Sequence, residues 1–235
     1  MFLTVREAAA LLRTTERQVY RWVDGEEIPF RRVRDQVRFN RTDLLEWATS
    51  RGLLLSLEAF GAGLDPEDRA PSIAEALRAG GVHHDVPAAD REAAIRAVVE
   101  RTPMPSSVDR ELIIEVLLAR EATGSTAIGD GIAIPHVRQP IVAAGAPATV
   151  SVSHLKEAVP FGAADGKPVS TVILIVSPTI RTHLQMLARL AQALQDPGFH
   201  AALTRRASAA ELATEAARTE VSLSVPPQPR EEKVT

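Results

Sequence analysis

The sequence predicts an α/β chain: a layered C-terminal domain with a mixed β-sheet flanked by helices, behind a small N-terminal unit of short helices and a hairpin. Three observations carry this. Two capping boxes, Thr4-Val-Arg-Glu7 and Thr15-Glu-Arg-Gln18, stand close together; a nearly continuous apolar run fills Val169–Val176; and apolar positions recur at helical spacing from Leu184 to Leu194. In a capping box a hydroxyl and a carboxylate or amide each satisfy a backbone donor at a helix start. A continuous apolar run suits a strand covered on both faces, and spacings of three and four mark an amphipathic helix. Helix and strand signals that interleave in this way imply stacked layers. The chain has 235 residues, more than the common single domain of about 100–150, so two domains fit.

The N-terminal unit spans residues 1–52. After the first box, Ala8, Leu11 and Leu12 recur at helical spacing. The second box opens a helix that turns Val19 and Trp22 inward and leaves Arg17, Gln18 and Arg21 outside. Two short helices joined by a tight turn match the helix-turn-helix pattern, whose second helix enters the major groove. Arginine and glutamine suit base edges there because they bond bidentately to guanine and adenine. Ile28–Val33 and Gln36–Phe39 then alternate apolar and cationic residues around Arg34-Asp35, which reads as a hairpin or wing. Asn40 caps a third helix with Leu44, Leu45 and Trp47.

Charge supports the same reading. The formal net charge is −3, yet residues 1–52 carry ten arginines against eight acids. Arg31, Arg32, Arg34, Arg38 and Arg41 share one stretch with a single acid, Asp35. Such a cluster attracts phosphate, although a solvated basic face would look the same by charge alone. The candidate DNA contacts are therefore Arg17, Gln18, Arg21, Arg32, Arg34 and Arg38.

Residues 53–71 have the breakers and charge of a linker (Gly61-Ala-Gly-Leu-Asp-Pro), with an apolar stripe at 53–60. The second domain spans 72–221. Ser72-Ile-Ala-Glu75 caps one short helix, and Asp90 precedes an alanine-rich helix with Ile95, Val98 and Val99. Leu112, Ile113, Val116 and Leu117 are expected to line the face of a further helix ending near Arg120. Strands are expected at Thr149–Ser153 and Val169–Val176, the second introduced by a turn at Asp165-Gly166. Pro178 ends it, and the amphipathic helix follows. The proline-rich stretch 222–235 reads as a disordered tail.

One segment in this domain announces chemistry. Gly124-Ser-Thr-Ala-Ile-Gly-Asp-Gly-Ile-Ala-Ile-Pro-His136 packs three glycines and a proline ahead of one ionisable ring. Glycine admits backbone conformations that other residues avoid, and proline fixes φ and removes a donor. Arg120 closes the helix before this run, and His183 lies in the first turn of the long helix. His83 and His84 are adjacent, so they share no face and make a poor metal site. His154 and His200 read as solvated or packed bystanders. Cysteine is absent, which excludes disulfides, thiolate zinc sites and thiol nucleophiles. No apolar run approaches the roughly 20 residues that span a bilayer, and no secretory pattern opens the chain, so a cytoplasmic location is expected.

Two resemblances follow from these residues. Positions 2–50 resemble the excisionase and MerR-like winged helix-turn-helix domains, except that the wing turn holds Arg34-Asp35-Gln36 where relatives often carry glycine. The strings LLAREATGSTAIGDGIAIPHVR at 117–138, PFGAADGKPV at 160–169 and SPTIRTHLQMLARLAQAL at 177–194 resemble the mannitol/fructose-type enzyme IIA domain of the phosphoenolpyruvate-dependent phosphotransferase system, including its nitrogen-related branch. That resemblance implies that His136 accepts a phosphoryl group from the histidine-containing phosphocarrier protein, that Arg120 neutralises it, and that His183 lies beside the phosphorylated ring. No metal, nucleotide or other cofactor is implied. Together the two halves suggest a transcription regulator, expected as a homodimer on DNA, that senses phosphorylation state. The alternative is a phosphocarrier serving a separate IIB protein in sugar uptake, with the N-terminal unit used for partner binding.

Overall fold

The computed structural model describes residues 2–51, 53, 70–136 and 147–224. The expected linker, apart from Leu53, Ala70 and Pro71, lies outside them. So does the expected tail, apart from residues 222–224, which close the last helix.

The N-terminal unit begins with β1 (Phe2–Leu3) and α1 (Val5–Leu11). The first capping box closes on both sides: Glu7 N–H donates to Thr4 Oγ1 at 3.2 Å and Thr4 N–H to Glu7 Oε2 at 2.7 Å. In α2 (Glu16–Asp24) the Thr15 hydroxyl accepts from Gln18 N–H, one half of the second box. Strands β2 (Arg31–Val33) and β3 (Gln36–Asn40) form the wing, and β1 pairs with β3 to give a three-stranded sheet that the sequence reading lacked. Wing pairing starts at Arg31 and not at Ile28. Its turn is unusual in chemistry but not in shape, because Arg34 (φ 48°) and Asp35 (φ 62°) both take the left-handed conformation usual for glycine or asparagine in two-residue hairpins. Helix α3 (Arg41–Ser50) follows, with Asn40 Oδ1 accepting from Asp43 N–H at 3.4 Å. Val19, Phe39, Leu44 and Leu45 are fully buried, and Trp22 meets Trp47 edge to face at 5.1 Å.

The second domain is built on a mixed five-stranded sheet in the order β4-β7-β8-β6-β5. The strands are β4 (Val82–Val86), β5 (Ala127–Gly129), β6 (Ile132–Ala133), β7 (Thr149–Val159) and β8 (Val169–Val176). β7 and β8 pair antiparallel, whereas β4 with β7 and β6 with β8 run parallel. The apolar run of β8 serves both faces. Ile173 and Ile175 join one core with α4 (Ile73–Gly80), α7 (Ile180–Gln195), α8 (Pro197–Thr204) and α9 (Ala209–Ser224). Val172, Leu174 and Val176 join the other with α5 (Arg91–Arg101) and α6 (Arg110–Ala122).

One expectation needs correcting. The buried face of α6 is Ile113, Ile114 and Leu117, while Leu112 and Val116 are exposed. Their spacing permits either face, and the sheet takes the stripe that includes Ile114. Of the two readings open for His154, solvated or packed, the structure shows the packed one: it is fully buried, stacked on His84 at 5.2 Å, with Nδ1 3.0 Å from Thr171 Oγ1.

The two units touch. Helix α3 packs against α7 and β5, and the N-terminal core is continuous with the α7 side of the sheet. Gln195 Nε2 donates to the Leu53 carbonyl at 3.0 Å, while Ala70 N–H donates to Gln185 Oε1 and Arg189 to the Pro71 carbonyl. Among the described residues no helix is long and apolar enough to cross a membrane.

Candidate functional site

The glycine-punctuated run folds as a hairpin. Gly129 pairs with Ile132 across a two-residue turn in which Asp130 (φ 49°) and Gly131 (φ 73°) are both left-handed. A side chain at Gly131 would also press on Ser170 Oγ and the Pro168 carbonyl at 3.2–3.3 Å. Asp165 holds the turn from across the sheet by accepting from Asp130 N–H at 2.9 Å, and Lys167 pairs with Asp130 at 2.7 Å. Past β6 the chain delivers Ile134, Pro135 and His136 beside the start of α7.

His136 is 9% exposed. Its Nδ1 lies 2.6 Å from the Ile134 carbonyl. A carbonyl only accepts, so Nδ1 carries the proton and Nε2 keeps its lone pair in the neutral ring. Burial, and then the Arg120 charge, push the His136 pKa below its ordinary value of 6.5. His183, 3% exposed, occupies the first turn of α7, whose start is capped by Thr179 accepting from Thr182 N–H. Burial, and then the neighbouring His136 ring, hold its pKa at about 3. Both rings are therefore neutral near pH 7. Neither nitrogen of His183 has a hydrogen-bond partner among the described residues. Two orphaned atoms on a buried ring are costly.

Arg120 stands in the last turn of α6, half-buried, with Nη1 3.0 Å from the Gly124 carbonyl. Its charge reaches His136. All three residues singled out from sequence therefore act on one locus. A fourth was missed. Glu121 is almost fully buried and accepts from Thr126 through both N–H (3.1 Å) and hydroxyl (2.6 Å), with Arg91 at 3.9 Å. It ties the end of α6 to the start of the hairpin. Its only signal in the sequence is spacing, since position 121 falls on the apolar face of Ile113 and Leu117.

A cavity of about 460 Å³ opens at His136. Thr126, Ile134 and Leu187 line it on the His136 side. Its opposite wall belongs to the N-terminal unit, through Glu26, Glu27, Asp43 and Trp47. The DNA candidates stand elsewhere. Arg17 and Arg21 are exposed and Gln18 half-exposed on α2, and Arg32 and Arg34 are exposed on the wing. The wing register sets Arg38 opposite Arg31, with its guanidinium bonded to the Val37 carbonyl and Gln36.

Comparison with known proteins agrees with this geometry. The family model for the phosphoenolpyruvate-dependent sugar phosphotransferase system, EIIA 2, matches residues 75–215, and a helix-turn-helix domain model matches residues 2–52. Fold and site thus define an EIIA-type domain preceded by a helix-turn-helix domain. The chain belongs to the EIIA 2 family of the phosphoenolpyruvate-dependent sugar phosphotransferase system. It is similar to the nitrogen regulatory protein of Pseudomonas aeruginosa, 42% identical over 89 residues that cover 37% of this chain and 55% of that protein. The fructose-specific EIIA component of Haloferax volcanii is 32% identical over 111 residues, 46% of this chain and 70% of that protein. The crystal structure of nitrogen regulatory protein IIA-Ntr from Neisseria meningitidis superposes with a TM-score of 0.50 at 30% identity, covering 61% of this chain and 98% of that one.

Proposed function

We propose that this protein is a transcription regulator in which His136 accepts a phosphoryl group and the helix-turn-helix domain reads DNA. The observation that carries this is the tautomer of His136: Nδ1–H is committed to the Ile134 carbonyl, so Nε2 is a neutral nucleophile. In the transfer, a phosphohistidine of the phosphocarrier protein is the donor. A bond forms from His136 Nε2 to phosphorus as the donor's N–P bond breaks, and the electron pair of the broken bond stays on the donor's nitrogen. The Nδ1 proton stays in place, where the carbonyl stabilises the charge that the ring gains. Such a transfer needs positioning and charge compensation more than covalent chemistry. The Arg120 guanidinium supplies positive charge suited to phosphoryl oxygens, and a neutral His183 ring offers a donor beside them. The first turn of α7 adds the positive end of a helix dipole.

The helix-turn-helix domain match and the names of the nitrogen regulatory relatives favour the regulatory reading over sugar uptake. Arg17, Gln18 and Arg21 read base edges, and Arg32, Arg34 and Arg38 hold phosphates; a domain this small gains useful specificity as a homodimer on paired half-sites. The test is incubation of the full chain with phosphoenolpyruvate, enzyme I and the phosphocarrier protein. Acid-labile label that disappears in His136→Ala is expected. Label of undiminished yield in that variant would refute the assignment.

A further inference from the structure

His136 opens into a cavity whose far wall is the helix-turn-helix domain, and that wall is acidic. Glu26, Glu27 and Asp43 line it together with Trp47. Glu27 is paired with Arg51 at 2.8 Å, while the Glu26 carboxylate is exposed. The contact is no grazing one: α3 lies on α7 and β5, and the hydrophobic core runs through from one unit to the other. A space of about 460 Å³ admits a phosphoryl group or a small molecule but not a protein carrying a phosphohistidine.

Resting on the proposed role of His136, we infer that the face around this histidine is a docking surface shared by two competing occupants: the chain's own helix-turn-helix domain and the protein that donates the phosphoryl group. Two physical arguments converge on it. First, a protein donor must bring its phosphorus to within bonding distance of Nε2, and the acidic wall stands in that path. The helix-turn-helix domain must leave before transfer occurs. Second, once transferred, the phosphoryl group adds about −1.5 to −2 charge inside the cavity, opposite the carboxylates that line its far wall. Redocking is then opposed by the charge that transfer created. Linkage makes this reciprocal: whatever phosphorylation does to docking, docking does to phosphorylation.

The arrangement leaves the DNA-reading candidates uncovered, since Arg17, Arg21, Arg32 and Arg34 are exposed in the docked state. Release therefore changes where the domain is held and how two copies can be spaced, without first uncovering its arginines.

The chain has no cysteine, so labels can be placed uniquely. A full-length Glu16→Cys, Glu115→Cys variant carrying two nitroxides reports the separation of α2 from α6, both sites being exposed. One narrow distance is expected before phosphorylation, and a longer, broader distribution after it, with no change in the same variant bearing His136→Ala. A full-length Glu26→Gln, Asp43→Asn variant is expected to take label from the phosphocarrier about fivefold faster, the size of effect two partly exposed like charges can exert. Label on His136 with an unchanged narrow distance would overturn the competition and leave the acceptor role standing. A broad distribution before phosphorylation would overturn the docked state. Absence of label on His136 would overturn the acceptor role and the competition together.

Discussion

At the scale of single residues, His136 and His183 divide what sequence can and cannot show. The framing of His136 by Gly129, Gly131 and Pro135 is legible because each is a backbone constraint written in residue type. The hydrogen bond that fixes its tautomer is not legible, for Ile134 contributes only a carbonyl that every residue has. His183 has two ring nitrogens without hydrogen-bond partners among the described residues, so its removal is expected to cost the fold little. His183→Leu is expected to leave unfolding free energy within about 1 kcal/mol of the unaltered protein, or above it, while phosphorylation by the carrier falls sharply. Chemical denaturation and label uptake measured on the same preparation check this. The acid dependence of stability follows with a definite sign. In the unfolded chain His183 and His154 titrate near 6.5, but in the fold His183 is held at about 3 and His154 at about 4, mainly by burial. The unfolded state therefore binds more protons across that interval, and stability rises with pH there. Their contribution is complete above pH 6.5 and is lost as pH falls toward 4 and then 3. Denaturation midpoints between pH 4 and 7 should fall less steeply in His183→Leu.

Among elements, several with a chemical start signal were legible, whereas α8, capped by Asp196, and the shortest strands were not. Thr4, Thr15, Ser72, Asp90 and Asp109 each cap a helix through a side chain, and hydroxyls or carboxylates at those positions are visible in sequence. β1, β5 and β6 hold two or three residues each, too few for any alternation, and they exist because a neighbouring strand offers its edge. β4 hid for another reason: His83, His84 and Asp85 interrupt its apolar pattern. The wing turn gives a sharp element-level test. Arg34 and Asp35 both sit at positive φ, so Asp35→Gly removes a left-handed strain and should stabilise the N-terminal unit by about 0.5–1 kcal/mol, measured by urea denaturation. The converse holds at Gly131 (φ 73°), where Gly131→Ala should cost about 1–2 kcal/mol and loosen the hairpin that delivers His136.

For the whole molecule, the proposed reading of DNA makes charge separation between the halves the expected determinant of nucleic-acid affinity. With ten arginines in residues 1–52, binding to DNA is expected to weaken as salt rises, and Arg34→Ala should lower the log–log salt slope by about 1 if its guanidinium holds one phosphate. Titrations of labelled duplex at several salt concentrations decide this. The order of the sheet, with β4 and β5 at its edges, could not be read from strand signals alone, because crossover connections leave no local trace. What sequence also concealed was the attachment of the first unit. Leu53 is held by Gln195 and Ala70 by Gln185, ten positions apart on α7 and so separated by about 15 Å along its axis. The stretch that joins the units thus leaves and rejoins a single helix. Sixteen residues lie between Leu53 and Ala70, and their fully extended reach is about 60 Å. A domain confined within that radius faces its own binding partner at about 1 mM effective concentration. A dissociation constant of about 0.1 mM therefore keeps about nine copies in ten seated, and a tenfold loss sets half of them adrift.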